Sequence, residues 1–199
     1  MAATVLAVFF GLMGAVTVAF SLASPKVNDL PRGYTKPMLA LEMTLSASEV
    51  QRVIDRFPGG DSAIRKAIIL DFALIIPAYS VLLIAFACLA RARGLPSGGL
   101  LIAATILAAM ADVSENILIL ESHPAFIPAA IKWVLLGISA GLICVIFAER
   151  GGILRIPAGA NLLAAVGLVA GVWVDRFLEP AFVLMGLSWL VTAFFVRRL

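Results

Sequence analysis

Six apolar runs, each close to the length needed to cross a membrane, dominate this 199-residue chain. A helix needs roughly 20 apolar residues to cross the hydrocarbon core of a bilayer. The runs cover residues 3–23, 67–90, 99–120, 128–148, 157–174 and 180–196. They predict an all-α fold, a polytopic bundle of six transmembrane helices that forms a single membrane domain over residues 1–199.

The composition excludes several other classes of protein. The chain is 62% hydrophobic and 14% charged, whereas a soluble domain has about 25% charged residues. This rules out a disordered chain, a disulfide scaffold and an ordinary soluble enzyme. The net charge is only +3, and the basic residues stand at the ends of the apolar runs, so we expect no nucleic-acid partner.

Prolines sharpen the start of the last three spans. Pro128, Pro157 and Pro180 open them, which suits the first turn of a helix because its N–H groups have no intrahelical partner there. Residues 21–23 have the small-x-small form of a signal-peptide cleavage site. However, no basic residue precedes the first run, and the run is longer than the usual signal core. We therefore expect the first run to remain as a membrane span.

The basic residues favour one orientation under the positive-inside rule. With both termini in the cytoplasm, the short inner loops and the C-terminus carry Arg91, Arg93, Arg150, Arg155, Arg197 and Arg198. The short outer loops then carry only Arg176, although the 24–66 loop holds seven basic residues that argue the other way. We expect cytoplasmic termini in a bacterial-type inner (plasma) membrane, with the 24–66 loop outside.

The 24–66 loop has a structure of its own rather than the pattern of a flexible linker. Apolar residues alternate over 39–45, which predicts an extended segment. Ser46 and Glu49 then form a capping-box pattern, followed by apolar residues at helical spacing over 50–57 and by a Pro-Gly-Gly stop at 58–60. We expect residues 37–57 to cover the outer mouth of the bundle or to lie along the membrane surface. This segment is either a packed cap or a lid over a site beneath it.

The third span contains the most informative polar residues. Spacings of three and four place Asp112, Glu115 and Asn116 on one face of the helix. An ionisable group inside a membrane span costs about 2.5–3.5 kcal/mol on insertion scales. This face must therefore look into the bundle.

Two other spans contribute polar residues at the same depth. A rise of about 1.5 Å per residue places Asp71 of the second span and Lys132 of the fourth in the outer third of the membrane, level with the third-span residues. Tyr79 of the second span lies nearer the middle and is expected either to face the same cavity or to bond to a neighbouring helix. We predict one polar site there, with Asp112, Glu115 and Asp71 as catalytic candidates and Asn116, Lys132 and Tyr79 as substrate-binding candidates. Pro77 is expected to kink the second helix beside this site.

The charges of this site do not balance. Three acids and one lysine leave a formal excess of negative charge, so a carboxyl group is protonated or a cation or buried water completes the site. Lys132 is the expected counter-ion of Asp112 or Glu115. Two readings stay open: a site for a substrate, proton or ion, and an ion-pair network that only fixes the register of the helices.

The remaining polar and small residues carry less information. His123 is the only histidine, so we expect no metal site and no cofactor. Cys88 and Cys144 are expected to be small apolar fillers without a disulfide. The Gly-x-x-x-Gly patterns at 137–141 and 167–171 are expected to mark close helix packing within the chain. Trp133 is expected near the outer interface, and Asp175 and Glu179 are expected to be exposed.

Three functions remain in order of preference. The first is an enzyme or binding protein that modifies a lipid-like or isoprenoid-like small molecule by acid–base chemistry, for which paired carboxylates are suited. The second is an accessory subunit that packs against a membrane-protein partner. The third is a small proton- or cation-coupled transporter. Membrane lipids are expected partners in each case.

Overall fold

The computed structural model describes residues 1–24, 26–174 and 177–199. These residues form helices and connecting turns without a β-strand, which confirms the all-α prediction. The helices are α1 (Ala2–Ala23), α2 (Pro37–Glu42), α3 (Ala47–Arg56), α4 (Gly60–Leu70), α5 (Ile76–Ala92), α6 (Ser97–Leu120), α7 (Phe126–Ala148), α8 (Arg155–Trp173) and α9 (Leu178–Phe195). Pro25, Asp175 and Arg176 lie outside the described residues. The predictions that Asp175 is exposed and that Arg176 lies in an outer loop therefore fall outside the described residues.

Within the described residues, six helices are long and apolar enough to cross a membrane. They are α1, the continuous Gly60–Ala92 helix that contains α4 and α5, and α6 to α9. Pro128, Pro157 and Pro180 each stand in the first turn of a helix, where a backbone N–H would have no partner within the helix. The chain is thus a polytopic helical bundle of the kind found in integral membrane proteins.

A π-helical turn interrupts the second span at Asp71–Ile75, just before Pro77. Pro77 has no N–H to give to the preceding turn, and the helix responds by widening. The N–H of Ile76 donates to the carbonyl of Asp71, five residues back. The expected kink at Pro77 is therefore a π turn, and the turn begins at a predicted site residue.

The six spans form a ring in which each helix packs on its neighbours in sequence and α1 packs closely on α9. Small residues allow these contacts: Gly137 lies against Val169 of α8, and Gly171 lies against Leu178 of α9. The glycine patterns therefore pack helices within the chain, as expected. The ring is loosest between α1 and α5.

Aromatic side chains fill the half of the ring away from the 24–66 loop. The ring of Phe10 lies 5.5 Å from that of Phe86 and 6.5 Å from that of Trp189, measured between centroids, and Phe86 lies 5.8 Å from Phe147. Phe10, Phe86 and Phe147 are fully buried. We call this half the far side and the other the cap side.

On the cap side, residues 26–57 form a compact cap that contains α2 and α3. The prediction of an extended segment over 39–45 was wrong, because α2 begins at Pro37 and continues to Glu42. The alternating pattern misled because residues 39–43 are all buried, including Ala40 and Glu42 between the larger apolar residues. A segment buried on every side has no polar face from which a period can be read.

Ser46 is confirmed as the N-cap of α3, and Glu49 bonds back to the residue before the cap, Leu45, rather than to Ser46 itself. The Ser46 hydroxyl accepts a hydrogen bond from the Glu49 N–H at 3.3 Å, and the Glu49 carboxylate accepts one from the Leu45 N–H at 2.7 Å. The cap also bonds to the bundle, because the Phe126 N–H at the start of α7 donates to the Thr44 carbonyl. It therefore covers the mouth of the bundle rather than lying along the membrane surface.

Candidate functional site

Lys132 of α7 stands at the centre of a buried group of carboxylates on the cap side. Its Nζ lies 2.7 Å from Glu115 Oε2, 3.1 Å from Glu42 Oε2 and 3.3 Å from Asp112 Oδ1. All four side chains are at least 89% buried. The prediction that Lys132 is the counter-ion of Asp112 or Glu115 is confirmed, and it pairs with both.

The helix geometry explains why these groups meet. Asp112 and Glu115 are three residues apart on α6 and point to one side. Asp112 lies about 12 Å from the end of α6 and Lys132 about 9 Å from the start of the antiparallel α7, at 1.5 Å per residue. A short turn joins the two helices, so the groups come level. The face predicted from the sequence is thus the face that meets α7.

The second span supplies two more of the predicted residues. The Tyr79 hydroxyl donates a hydrogen bond to Asp112 Oδ2 at 3.0 Å. Asn116 Nδ2 donates one to Asp71 Oδ2 at 2.6 Å. The structure therefore brings together all six candidate residues, although their roles in substrate binding or catalysis stay predictions. We call Glu42, Asp71, Asp112, Glu115 and Lys132 the carboxylate cluster.

Glu42 was missed by the sequence reasoning. It is the last residue of α2 and enters the bundle from the cap, where its Oε2 accepts hydrogen bonds from Lys132 at 3.1 Å and from Trp133 Nε1 at 2.9 Å. The available signal was its position as a lone acid between apolar residues, Leu-Ala-Leu-Glu-Met. Among the mixed charges of the 24–66 loop, that signal was not distinctive.

Trp133 also differs from expectation. It was expected at the outer interface, but it is buried, and its ring packs edge-on against Phe182 at 5.8 Å between centroids. The reason is Glu42, which gives the indole N–H a buried acceptor and removes the cost of withdrawing it from water. Trp133 thus joins the cap to the bundle at the edge of the cluster.

Burial also changes the acidity of the cap carboxyl group. The pKa of Glu42 is raised above its usual 4.5, mainly because burial penalises the charged form, and Asp112 adds repulsion. Lys132 acts in the opposite direction and does not outweigh burial. Three carboxyl groups contact the Lys132 ammonium, and Asp71 adds a fourth to the cluster without contacting it. Bound protons or a further cation must therefore balance the charge.

Asp71 differs from the other acids because it is only half-buried. Its Oδ2 is held by Asn116, whereas its Oδ1 has no hydrogen-bond partner among the described residues. Asp71 opens the π turn, and two residues beyond it begins a lipid-facing groove. This groove has a volume of about 840 Å³ and is lined by residues between Met1 and Phe9 of the first span and between Ala73 and Ala92 of the second. We call it the α1–α5 groove.

Glu179 does not belong to the cluster, but it is not exposed as expected. Its carboxylate accepts hydrogen bonds from the Thr35 N–H, the Thr35 hydroxyl and the Lys36 N–H. Lys36 Nζ in turn donates to the carbonyls of Ser21 and Ser24 at the end of α1. These bonds fix the start of α2 to α9 and α1, while Glu42 fixes its end to the cluster.

The site can therefore exchange protons and accept hydrogen-bond donors at a half-open edge, with its other carboxylates held by one ammonium. Within the part of the chain described, no three His, Cys, Asp or Glu residues are grouped as a metal would require. No protein-family model, curated protein or solved structure matches the chain.

Proposed function

We propose that this integral membrane protein binds a lipid-like molecule at the carboxylate cluster and acts on it by acid–base chemistry. The observation that carries this proposal is the surplus of carboxylates over cations. A buried ion pair that only fixes helix register needs one acid for one base, and each extra buried acid costs stability. Such destabilising groups of buried ionisable residues are typical of binding and catalytic sites.

In this proposal, half-buried Asp71 is the point at which a substrate enters the site. A substrate arriving through the bilayer meets Asp71 first, because the cap covers the cluster from above and the other acids are buried. Asn116 orients one oxygen of Asp71 and leaves the other free to take a proton or a hydrogen bond. In this proposal Asp71 contacts the substrate, and Asp112, Glu115 and Lys132 set its charge.

The filled far side favours this function over the transport of a cation. Phe10, Phe86, Phe147 and Trp189 occupy the interior of the bundle where a path from the cluster to the other side would run. Transport would require these packed rings to separate. A substrate that enters and leaves sideways from the membrane requires no such change.

Native mass spectrometry with lipid analysis of gently purified protein tests the proposal. Wild type should retain a specific lipid-like molecule, and Asp71→Asn, Asp112→Asn and Glu115→Gln should lose it while their helical circular dichroism is unchanged. Glu121→Gln, at an exposed position just beyond the end of α6, is the matched control and should retain it. Wild type without a bound molecule, together with variants that only lose stability, would instead support the accessory subunit with a structural ion-pair network.

We propose further that both termini face the cytoplasm of a bacterial-type inner membrane. The support is the six arginines at the far side, where Arg150 donates to the Arg93 carbonyl and joins two of the short loops. A C-terminal green fluorescent protein fusion should fluoresce, and a C-terminal alkaline phosphatase fusion should be inactive. The reverse pair of results would invert the orientation without moving the cluster relative to the cap.

A further inference from the structure

We propose that the α1–α5 groove holds the tail of the proposed ligand, and that this ligand is a linear isoprenoid-like alcohol longer than one membrane leaflet. This inference rests on the proposed function and adds the class of substrate. It depends on the place and the length of the groove and on the charge of the carboxylate cluster.

The place of the groove joins it to the site. Its cap-side end is formed by Ala73 and Leu74, within one helical turn of Asp71. Ala78 and Val81 line it further down, and Leu74, Ala78 and Val81 share one face of the second span. The head of a chain lying in the groove is therefore within one helical turn of Asp71, whose Oδ1 has no hydrogen-bond partner among the described residues.

The length of the groove selects the tail. Along the second span it runs from Ala73 to Ala92, which is about 28 Å at 1.5 Å per residue. The hydrocarbon core of a bilayer is about 30 Å thick, so one leaflet provides only about half of that length. An ordinary acyl chain fills one leaflet, whereas a long isoprenoid chain can follow the whole groove. The volume of about 840 Å³ lies within the range of known ligand pockets, about 300–1,000 Å³.

The charge of the cluster selects the head. A carboxylate oxygen without a partner accepts a hydrogen bond, and the surplus of acids repels a phosphate. A hydroxyl group donates to Asp71 Oδ1 and carries no charge, so it suits this position. Lys66, exposed on α4 and five residues nearer the cap, is the group that would hold a phosphate instead.

Protection of Cys88 reports how far the tail of the ligand extends along the groove. It is exposed, it lines the groove, and it lies about 25 Å along the helix from Asp71 at 1.5 Å per residue. Cys144 is on α7 and does not line the groove, so it serves as the internal control. A tail whose head is at Asp71 covers Cys88 only if it is long.

The experiment measures how fast methyl methanethiosulfonate modifies each cysteine of the intact protein in phosphatidylcholine nanodiscs. Solanesol, a long isoprenoid alcohol, should slow the modification of Cys88 several-fold and leave Cys144 unchanged. Farnesol, which has the same head and a short tail, should not protect Cys88. Asp71→Asn should remove the protection by solanesol, while Asp61→Asn, at an exposed position on the same continuous helix, should keep it.

The inference would be overturned if solanesol left Cys88 unprotected or protected both cysteines equally, if farnesol protected Cys88, or if solanesyl phosphate protected it in a way that depends on Lys66. Loss of Cys88 protection can be separated from failure of the proposed function. If a co-purified molecule depends on Asp71 but solanesol leaves Cys88 unprotected, the site stands and its tail lies elsewhere. If neither depends on Asp71, both proposals fail.

Discussion

Replacing Lys132 with methionine tests the central interaction of the site. Methionine has a similar length but no charge, so Glu42, Asp112 and Glu115 would share a buried space without a cation. Removing one partner of a buried ion pair costs about 3–5 kcal/mol. Protonation of the acids relieves part of that cost, so we expect a loss of about 3 kcal/mol in the free energy of unfolding. For a chain of this size, that lowers the unfolding temperature by roughly 6–12 °C.

The assay is unfolding of purified protein in bicelles by increasing sodium dodecyl sulfate, followed by circular dichroism. Lys66→Met is the matched control, because Lys66 is an exposed lysine of α4 and a surface substitution usually changes stability by about 0.5 kcal/mol or less. The difference between the two variants isolates the buried ammonium from the loss of a lysine as such.

A double variant separates charge from packing. Glu115→Gln removes the carboxylate closest to Lys132 Nζ, so Lys132→Met should cost less in that background. We expect a coupling energy of about 1–3 kcal/mol between the two positions. The reasoning would be refuted if Lys132→Met were as stable as Lys66→Met, or if the two substitutions were simply additive.

Three further predictions concern the cap and the helix packing. Because burial raises the pKa of Glu42, the folded state holds that proton to higher pH than the unfolded chain. The free energy of unfolding should therefore fall as the pH rises from about 4.5 through the folded-state pKa of Glu42. In Glu42→Gln, thermal unfolding measured across this pH range should not show that fall. Glu179→Ala should free the start of α2, seen as faster hydrogen exchange of the Thr35 and Lys36 amides, and unchanged exchange would contradict the anchoring role. Gly14→Ala should cost about 1–3 kcal/mol because its Cβ would lie 2.6 Å from a backbone oxygen of α9, whereas Gly99→Ala meets nothing within 4 Å and should be neutral or slightly stabilising.

Much of the fold could be predicted from the sequence, because hydropathy is a property of each segment by itself. The six spans follow from the length of the apolar runs, and the proline positions place the starts of α7, α8 and α9 within one turn. The start of α3 could also be predicted locally, since its hydrogen bonds join residues within 45–49. The Ser46 hydroxyl accepts from the Glu49 N–H, and the Glu49 carboxylate accepts from the Leu45 N–H. The extended segment predicted over 39–45 was wrong, because the burial of these residues comes from the bundle.

The candidate site was predicted in part, for the same physical reason. Asp112, Glu115 and Asn116 share a face because of helix geometry within one span, and the membrane forces that face inward. The antiparallel order of short-looped helices then places Lys132 at the same depth. These steps use only distances along the chain, and the contacts of Lys132 bear them out.

The tertiary structure alone decided which cap residue completes the cluster and where the cluster opens. Glu42 meets Lys132 across 90 residues of sequence, and no local pattern encodes where α2 rests on α6 and α7. The α1–α5 groove likewise depends on how closely the first span approaches the second. The sequence determined which side chains must turn away from lipid, because the free-energy cost of exposing an ionisable group to lipid depends on each helix by itself. Which of them touch, and which one remains reachable from the membrane, depends on the packing of helices against each other.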